Sequence, residues 1–98
     1  MKIDFRRIAR REYDEAVSWY ENKEPGLGRE FQNELDLLLK RIASHPEQFR
    51  QIRGILRRSV LRRFPYVVYF LTEPERVVVL AVFHAKRDPV HLENRSRS

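Results

Sequence analysis

An unbroken apolar run over residues 77–83, Val-Val-Val-Leu-Ala-Val-Phe, constrains the fold of this chain more than any other feature. Its β-branched residues favour an extended strand, and a run with no polar side chain leaves neither face of that strand for solvent. We therefore predict a central strand that is buried on both faces. Residues 66–71, rich in aromatic and β-branched side chains, predict a neighbouring strand that reaches it through the turn Glu73-Pro74-Glu75.

The first half of the chain has helical rather than strand periodicity. A short strand is predicted at residues 2–5, and a first helix follows it and must end before Pro25-Gly26. A second helix is predicted over residues 27–43 and ends at Ser44-His45-Pro46. The apolar face of the first helix comprises Ile8, Ala9, Tyr13, Ala16, Val17, Trp19 and Tyr20, and that of the second comprises Leu27, Phe31, Leu35, Leu38 and Ile42.

These elements define an α+β fold. A further strand is predicted over residues 55–61, where two pairs of arginines interrupt the alternation of apolar and polar residues. Because the two helices are joined by a short connection, we predict an antiparallel helical hairpin packed on a small antiparallel sheet, in the order βααβββ. A chain of 98 residues has room for a single core. We assign residues 1–95 to one domain and residues 96–98 to a frayed tail.

The predicted architecture leaves one face of the sheet uncovered, because two helices can cover only the other. Strand alternation predicts which side chains share this uncovered face. A large exposed apolar surface on a globular protein usually marks an interaction site, so we predict that a partner, or a second copy of the chain, covers part of it. The predicted contact residues are Tyr66, Val68, Phe70, Val78, Leu80 and Val82. The alternative is that the segment from Pro89 onward folds back and covers this face itself.

Charge is distributed unevenly along the chain. Residues 1–49 contain 9 Lys/Arg and 10 Asp/Glu, whereas residues 50–98 contain 11 and 4. Residues 48–72 contain no carboxylate but hold Arg50, Arg53, Arg57, Arg58, Arg62 and Arg63. Such an arginine-rich segment predicts a polyanionic partner, either a nucleic acid or an acidic protein. The alternative is a solvated face that keeps a small domain soluble.

Several classes of function are disfavoured by what the sequence lacks. It contains no cysteine, so disulfides and thiolate metal sites are excluded and a reducing compartment is indicated. No apolar run reaches the roughly 18 residues of a membrane span, and no signal segment is recognisable, so we predict a cytoplasmic location without membrane contact. No Gly-rich loop or nucleophile elbow is present, and we expect no cofactor. His84 and His91 supply two possible metal ligands without a third, so no metal site is predicted.

Several short motifs resemble those of one protein family. They are Trp19-Tyr20, Pro25-Gly26-Leu27-Gly28 with Phe31, His45-Pro46, Phe64-Pro65-Tyr66, and His84 followed by Arg87-Asp88-Pro89. In this order they resemble toxins of the RelE/ParE superfamily over nearly the whole chain. The resemblance implies the toxin of a bacterial type II toxin–antitoxin, or plasmid stabilisation, module. It also implies a cognate antitoxin that wraps around the toxin, a toxin–antitoxin hetero-oligomer, and contact with operator DNA only through the antitoxin.

The superfamily has two mechanistic branches, and the sequence resembles one of them more. In RelE-like members, which are ribosome-dependent mRNA endoribonucleases, an arginine typically follows the residue that opens the third strand. Here that position is Val67, and no tyrosine follows Tyr69 toward the C-terminus, although Arg87 matches an arginine of that branch. The pattern is more similar to the ParE-like branch, whose members resemble inhibitors of DNA gyrase and are not established nucleases.

Three hypotheses follow for the function. The first is a non-enzymatic toxin that binds DNA gyrase through Arg57, Arg58, Arg62, Arg63 and Arg87. The second is a ribosome-dependent nuclease whose catalytic groups would be Arg58, Arg62, His84 and Arg87. Histidine can act as a general acid or base near neutral pH, so His84 is a candidate, but a lone histidine is more often structural. The third is a basic adaptor that mainly binds its antitoxin and, through it, operator DNA, with weak or lost toxicity.

Overall fold

The computed structural model describes residues 1–92 and 95, without the side chain of His91, and the predicted frayed tail at residues 96–98 lies outside the described residues. Within these residues, two helices and five strands follow the order βααββββ. They are β1 (Lys2–Phe5), α1 (Arg7–Lys23), α2 (Leu27–Ser44), β2 (Arg50–Arg53), β3 (Leu56–Val60), β4 (Tyr66–Thr72) and β5 (Arg76–His84). Short 3₁₀ turns lie at Pro46–Gln48 and Pro89–Leu92. Within this part of the chain, no helix is both long and apolar enough to cross a membrane.

The predicted fold class is confirmed, with one additional strand and one parallel strand pair. The strand order is β1-β5-β4-β3-β2, so β5 lies inside the sheet as the apolar run predicts. Neighbours are antiparallel except β1, which pairs in parallel with β5. Strand β2 was not predicted. All four of its residues are exposed, so its sequence carries no burial pattern, and it forms by pairing with β3 at the edge of the sheet.

The helical hairpin packs on one face of the sheet, which we call the inner face. Its core includes Ala9, Tyr13, Ala16, Phe31 and Leu35 from the helices. The predicted apolar face of α1 is too wide, because Ile8 and Trp19 are 42% and 53% exposed. These two side chains lie beside the buried stripe, where the curved surface of the helix turns away from the sheet.

A glycine and a carboxylate fix the approach of the two helices. A Cβ at Gly28 would lie 2.6 Å from the carbonyl oxygen of Val17, so only glycine permits this crossing without a shift of backbone. The carboxylate of Glu21 on α1 accepts hydrogen bonds from the backbone N–H groups of Gly26 and Gly28, at 3.0 and 3.1 Å. Glu21 thereby caps the first turn of α2, which has no side-chain cap of its own.

A β-bulge in β5 breaks the alternation that the sequence predicts. Phe70 pairs with Val79 and Tyr69 pairs with Ala81, so Leu80 is the extra residue. Before the bulge Val77 and Val79 face the helices, and beyond it Val82 does. The predicted six-residue face is therefore wrong. Tyr66, Val68, Phe70 and Val82 lie on the inner face, whereas Val78 and Leu80 lie on the opposite, outer face.

The outer face is covered in part by the chain itself. Leu92, which follows β5 in the turn Pro89–Leu92, is 5% exposed and packs in the outer cluster. The guanidinium of Arg95 lies 4.7 Å from the centre of the Phe83 ring. The other members of this cluster are Leu56, Val67, Tyr69, Leu71, Val78, Leu80, Ala81 and Phe83. The alternative of a C-terminal segment that folds back is thus found in part, because residues 89–92 cover part of the outer face. A partner on the rest of this face stays a prediction.

Candidate partner-binding surfaces

The structure separates Arg57 and Arg58, which the sequence assigns to one target-binding surface. Arg57 lies opposite Phe70 at the helix-facing side of β3, and its Nη1 donates to the carbonyl oxygen of Phe49 at 2.7 Å. Arg57 thus ties the loop before β2 to the sheet. Arg58 lies opposite Tyr69 on the outer face. The two therefore point to opposite sides, since adjacent strand residues alternate.

Arg62 and Arg63 belong to the loop between β3 and β4, which α2 holds in place. The Glu34 carboxylate accepts hydrogen bonds from both backbone N–H groups, at 2.7 and 3.2 Å. The Arg63 guanidinium donates to Glu30 at 2.7 Å, and this hydrogen bond raises the pKa of Arg63 above its ordinary value. Arg63 is therefore already paired on the surface, whereas the side chain of Arg62 lines a cleft beside α2.

The α2 cleft lies between the second half of α2 and residues 60–62, and its volume is about 560 Å³. Two large apolar side chains are exposed at its walls, Leu37 at 62% and Val60 at 49%. Lys40, Arg41 and Arg62 supply positive charge around them. An exposed apolar groove with a basic rim matches an amphipathic segment that carries carboxylates. The sequence analysis did not identify this surface, because Leu37 lies one position outside the buried stripe of α2.

The α1 cleft has a volume of about 610 Å³. It is lined by both residues predicted at the exit of β5, His84 and Arg87, and by the exposed Trp19. The His84 ring stacks edge to face against Tyr66 with centroids 5.4 Å apart, and its Nδ1 accepts the backbone N–H of Lys86 at 3.1 Å. His84 therefore has the structural contacts expected of a histidine that shapes a turn. Burial raises the pKa of Tyr66.

The carboxylate of Glu12 on α1 organises this region. Glu12 pairs with Arg87 at 3.0 Å and with Arg95 at 2.9 Å, and its Oε1 accepts the backbone N–H of Val82 at 3.0 Å. Its side chain is only 12% exposed. Its position, three residues after Ala9 and four before Ala16, places it beside the buried stripe, and this spacing was the available signal.

The four candidate nuclease groups do not converge. Arg58 lines a cleft on the outer face, Arg62 lines the α2 cleft, and His84 and Arg87 line the α1 cleft. These three clefts share no lining residue. General acid–base catalysis requires its groups within hydrogen-bonding reach of one reacting phosphate, and the structure brings together at most His84 and Arg87. Among residues 1–92 and 95, no three His, Asp or Glu side chains are placed to hold a metal ion.

The fold has a counterpart among solved structures. It resembles a chain of the structure described as "Chromosomal ParDE TA system from P. aeruginosa", with a TM-score of 0.73 and 16% sequence identity. The likeness covers 86% of this chain and 95% of that chain, and at this identity it shows the fold alone. The helical hairpin and the sheet therefore define an α+β protein with the same fold as that chain.

The sequence assigns the chain to a protein family. Residues 3–89 match the family described as the ParE toxin of the type II toxin–antitoxin system, parDE. The chain belongs to this family, which confirms the predicted resemblance to the RelE/ParE superfamily and to its ParE-like branch. No curated protein matches the chain significantly.

Proposed function

We propose that this chain is a toxin that a cognate antitoxin neutralises, and that it arrests growth by binding DNA gyrase rather than by cleaving RNA. The observation that carries the proposal is membership of the ParE toxin family over residues 3–89. The separation of the candidate catalytic groups supports a binding mechanism, since Arg58, Arg62 and Arg87 occupy three clefts. Arg87 is also held by Glu12 at 3.0 Å, which reduces its capacity to neutralise a phosphate.

The antitoxin is assigned to the α2 cleft in this proposal. Leu37 and Val60 offer apolar contacts to one face of an amphipathic helix, and Lys40, Arg41 and Arg62 offer charge to its carboxylates. The neutralised form in the cell is then a cytoplasmic toxin–antitoxin hetero-oligomer that reaches operator DNA through the antitoxin. An adjacent reading frame is expected to encode a short protein with a DNA-binding first half and an amphipathic second half.

A supercoiling assay with purified gyrase tests the proposed target. The chain at micromolar concentration is expected to inhibit supercoiling, and prior addition of the antitoxin is expected to restore it. Transcripts from translating ribosomes, mapped in parallel after induction of the chain, are expected to show no new cleavage sites. New cleavage sites with no gyrase inhibition would instead support the RelE-like alternative. Unchanged growth after induction would support the basic adaptor.

A further inference from the structure

Three arginines, Arg50, Arg53 and Arg58, lie together on the outer face of the sheet. Arg50 of β2 lies directly opposite Arg58 of β3, which lies opposite Tyr69 of β4. Arg53 of β2 lies opposite Leu56 of β3, which belongs to the same outer face of the sheet. Together they line the outer cleft, of about 430 Å³, which is closed on its far side by the turn Pro89–Leu92.

This placement costs stability in the free protein. Like charges directly opposite each other on neighbouring strands are destabilising, and Arg50 and Arg58 form such a pair. Elsewhere Arg63, Arg76 and Arg87 each pair with a carboxylate within 3.0 Å. Within residues 1–92 and 95, no carboxylate lies within ion-pair distance of Arg50, Arg53 or Arg58. An unfavourable pair of like charges that no neighbouring carboxylate offsets is typical of a functional site.

The lining of the outer cleft indicates what kind of anion it accepts. Its floor and far wall are apolar, formed by Leu56, Tyr69 and Leu92, which are 7%, 5% and 5% exposed. At its rim, Ile52 and Val90 are 44% and 57% exposed. A nucleic acid would use the charges, but the buried Tyr69 ring offers no face on which a base could stack. A polypeptide with carboxylates and an apolar side chain would use both the charges and the apolar rim.

We propose that the outer cleft binds an acidic polypeptide segment that carries an apolar anchor residue. The carboxylates pair with Arg50, Arg53 and Arg58, and the anchor lies between Ile52 and Val90. Arginine suits this role, since its planar guanidinium binds carboxylates in bidentate geometry. Binding relieves the repulsion between Arg50 and Arg58, so part of the affinity comes from strain held in the free sheet. The site lies on the opposite side of the sheet from the helical hairpin.

Titration of the isotope-labelled chain with a blocked peptide of alternating Asp and Leu, followed by NMR, tests the site directly. Amide shift changes are expected to be confined to β2, β3, Tyr69 and residues 89–92. A peptide of equal charge with Gly in place of Leu is expected to bind at least about fivefold more weakly, because it lacks the apolar anchor. Equal binding of the two peptides, or tighter binding of an oligothymidylate of equal charge at the same residues, overturns the proposal.

A matched pair of double variants separates the cleft from the net charge. Arg50→Gln with Arg53→Gln is expected to weaken binding of the Asp-Leu peptide at least about tenfold, since two charge-assisted contacts are lost. The same variant is expected to unfold about 2 °C higher, because the cross-strand repulsion is removed. Arg11→Gln with Arg29→Gln removes the same charge from exposed positions on the two helices and is expected to change affinity by less than about twofold. Equal losses of affinity in both variants would overturn the proposal, because they would show that the peptide is held only by the net positive charge of the protein.

Discussion

At the scale of single residues, the Glu12 carboxylate fastens three parts of the chain to one another. It lies on α1, accepts a hydrogen bond from the backbone of β5 at Val82, and pairs with Arg87 and Arg95 beyond that strand. Strand β1 pairs with β5 only as far as Val79, so Glu12 satisfies a backbone donor on the part of β5 that β1 does not reach. The Glu12 side chain therefore accepts the hydrogen bond from Val82 that a neighbouring strand would otherwise accept.

Replacement of Glu12 by Gln is expected to destabilise the fold by about 2 kcal/mol, because it weakens the charge-assisted contacts between the largely buried Glu12 and Arg95 and the contact with Arg87 at the surface. The Glu12 and Arg95 side chains are 12% and 10% exposed, so solvent compensates little for the loss. Urea unfolding at neutral pH measures the difference. Glu15→Gln, at an exposed position on the same helix, is the control and is expected to be nearly neutral. Similar stability of the two variants would show that the network contributes little.

The phenol of Tyr13 gives stability a pH dependence in the alkaline range. Burial, and then a hydrogen bond to Asp36 at 2.6 Å, raise the pKa of Tyr13 from 10.0 to about 12. A pKa raised by folding means that the contribution is complete below pH 10 and is lost as the pH rises through about 12. We expect the free energy of unfolding to decrease over this interval, measured by urea titration at a series of pH values.

Tyr13→Phe is expected to show a smaller decrease over the same pH interval, because it has no ionisable hydroxyl. Part of the decrease remains, since burial also raises the pKa values of Tyr20 and Tyr66. At neutral pH the variant loses one hydrogen bond to an exposed carboxylate, at a cost of about 1 kcal/mol. An unchanged alkaline slope in Tyr13→Phe would contradict the role of this residue.

At the scale of elements, the helical hairpin both covers the inner face and forms a wall of the α2 cleft. Its geometry depends on the close crossing at Gly28 and on the Glu21 cap, which fix α2 relative to α1. The far half of α2 then meets the loop after β3, which Glu34 anchors through two backbone hydrogen bonds. The exposed Leu37 and Val60 are thereby placed in one cleft, although neither belongs to the core.

Leu37→Asp with Val60→Asp is expected to abolish co-purification with the product of the adjacent reading frame. Both side chains are exposed, so the fold is expected to tolerate the change, whereas the apolar contacts of the cleft are lost and carboxylates oppose an acidic partner. Circular dichroism checks the fold. Ile8→Asp, which alters another exposed apolar residue on α1, is the control and is expected to retain the partner. Retention by the double variant would exclude the α2 cleft as the antitoxin surface.

At the scale of the whole molecule, the uneven charge along the chain matches its division into a helical layer and a sheet. The helical layer belongs to the half of the chain with a slight excess of carboxylates, whereas four of the five strands come from the half with 11 basic and 4 acidic residues. Carboxylates of α2 hold the backbone of the arginine-rich loop, as Glu34 does at Arg62 and Arg63. Arg50, Arg53 and Arg58 present positive charge on the outer face of the sheet, which favours rapid encounter with acidic partners.

The sequence by itself determined the helices, most of the strands, the central place of β5 and the family. Periodicity was sufficient for the helices and strands because burial of an apolar stripe or run leaves few alternatives, as in residues 77–83. The tertiary structure decided which surface each side chain reaches. The bulge at Leu80 changes which residues of β5 face the helices, compared with simple alternation. Leu92 covers part of the outer face, and the side chains of Arg57 and Arg58 lie on opposite faces of the sheet. Glu12 found its partners 70 or more positions away along the chain. Such contacts depend on register and on long-range packing, which no local pattern encodes.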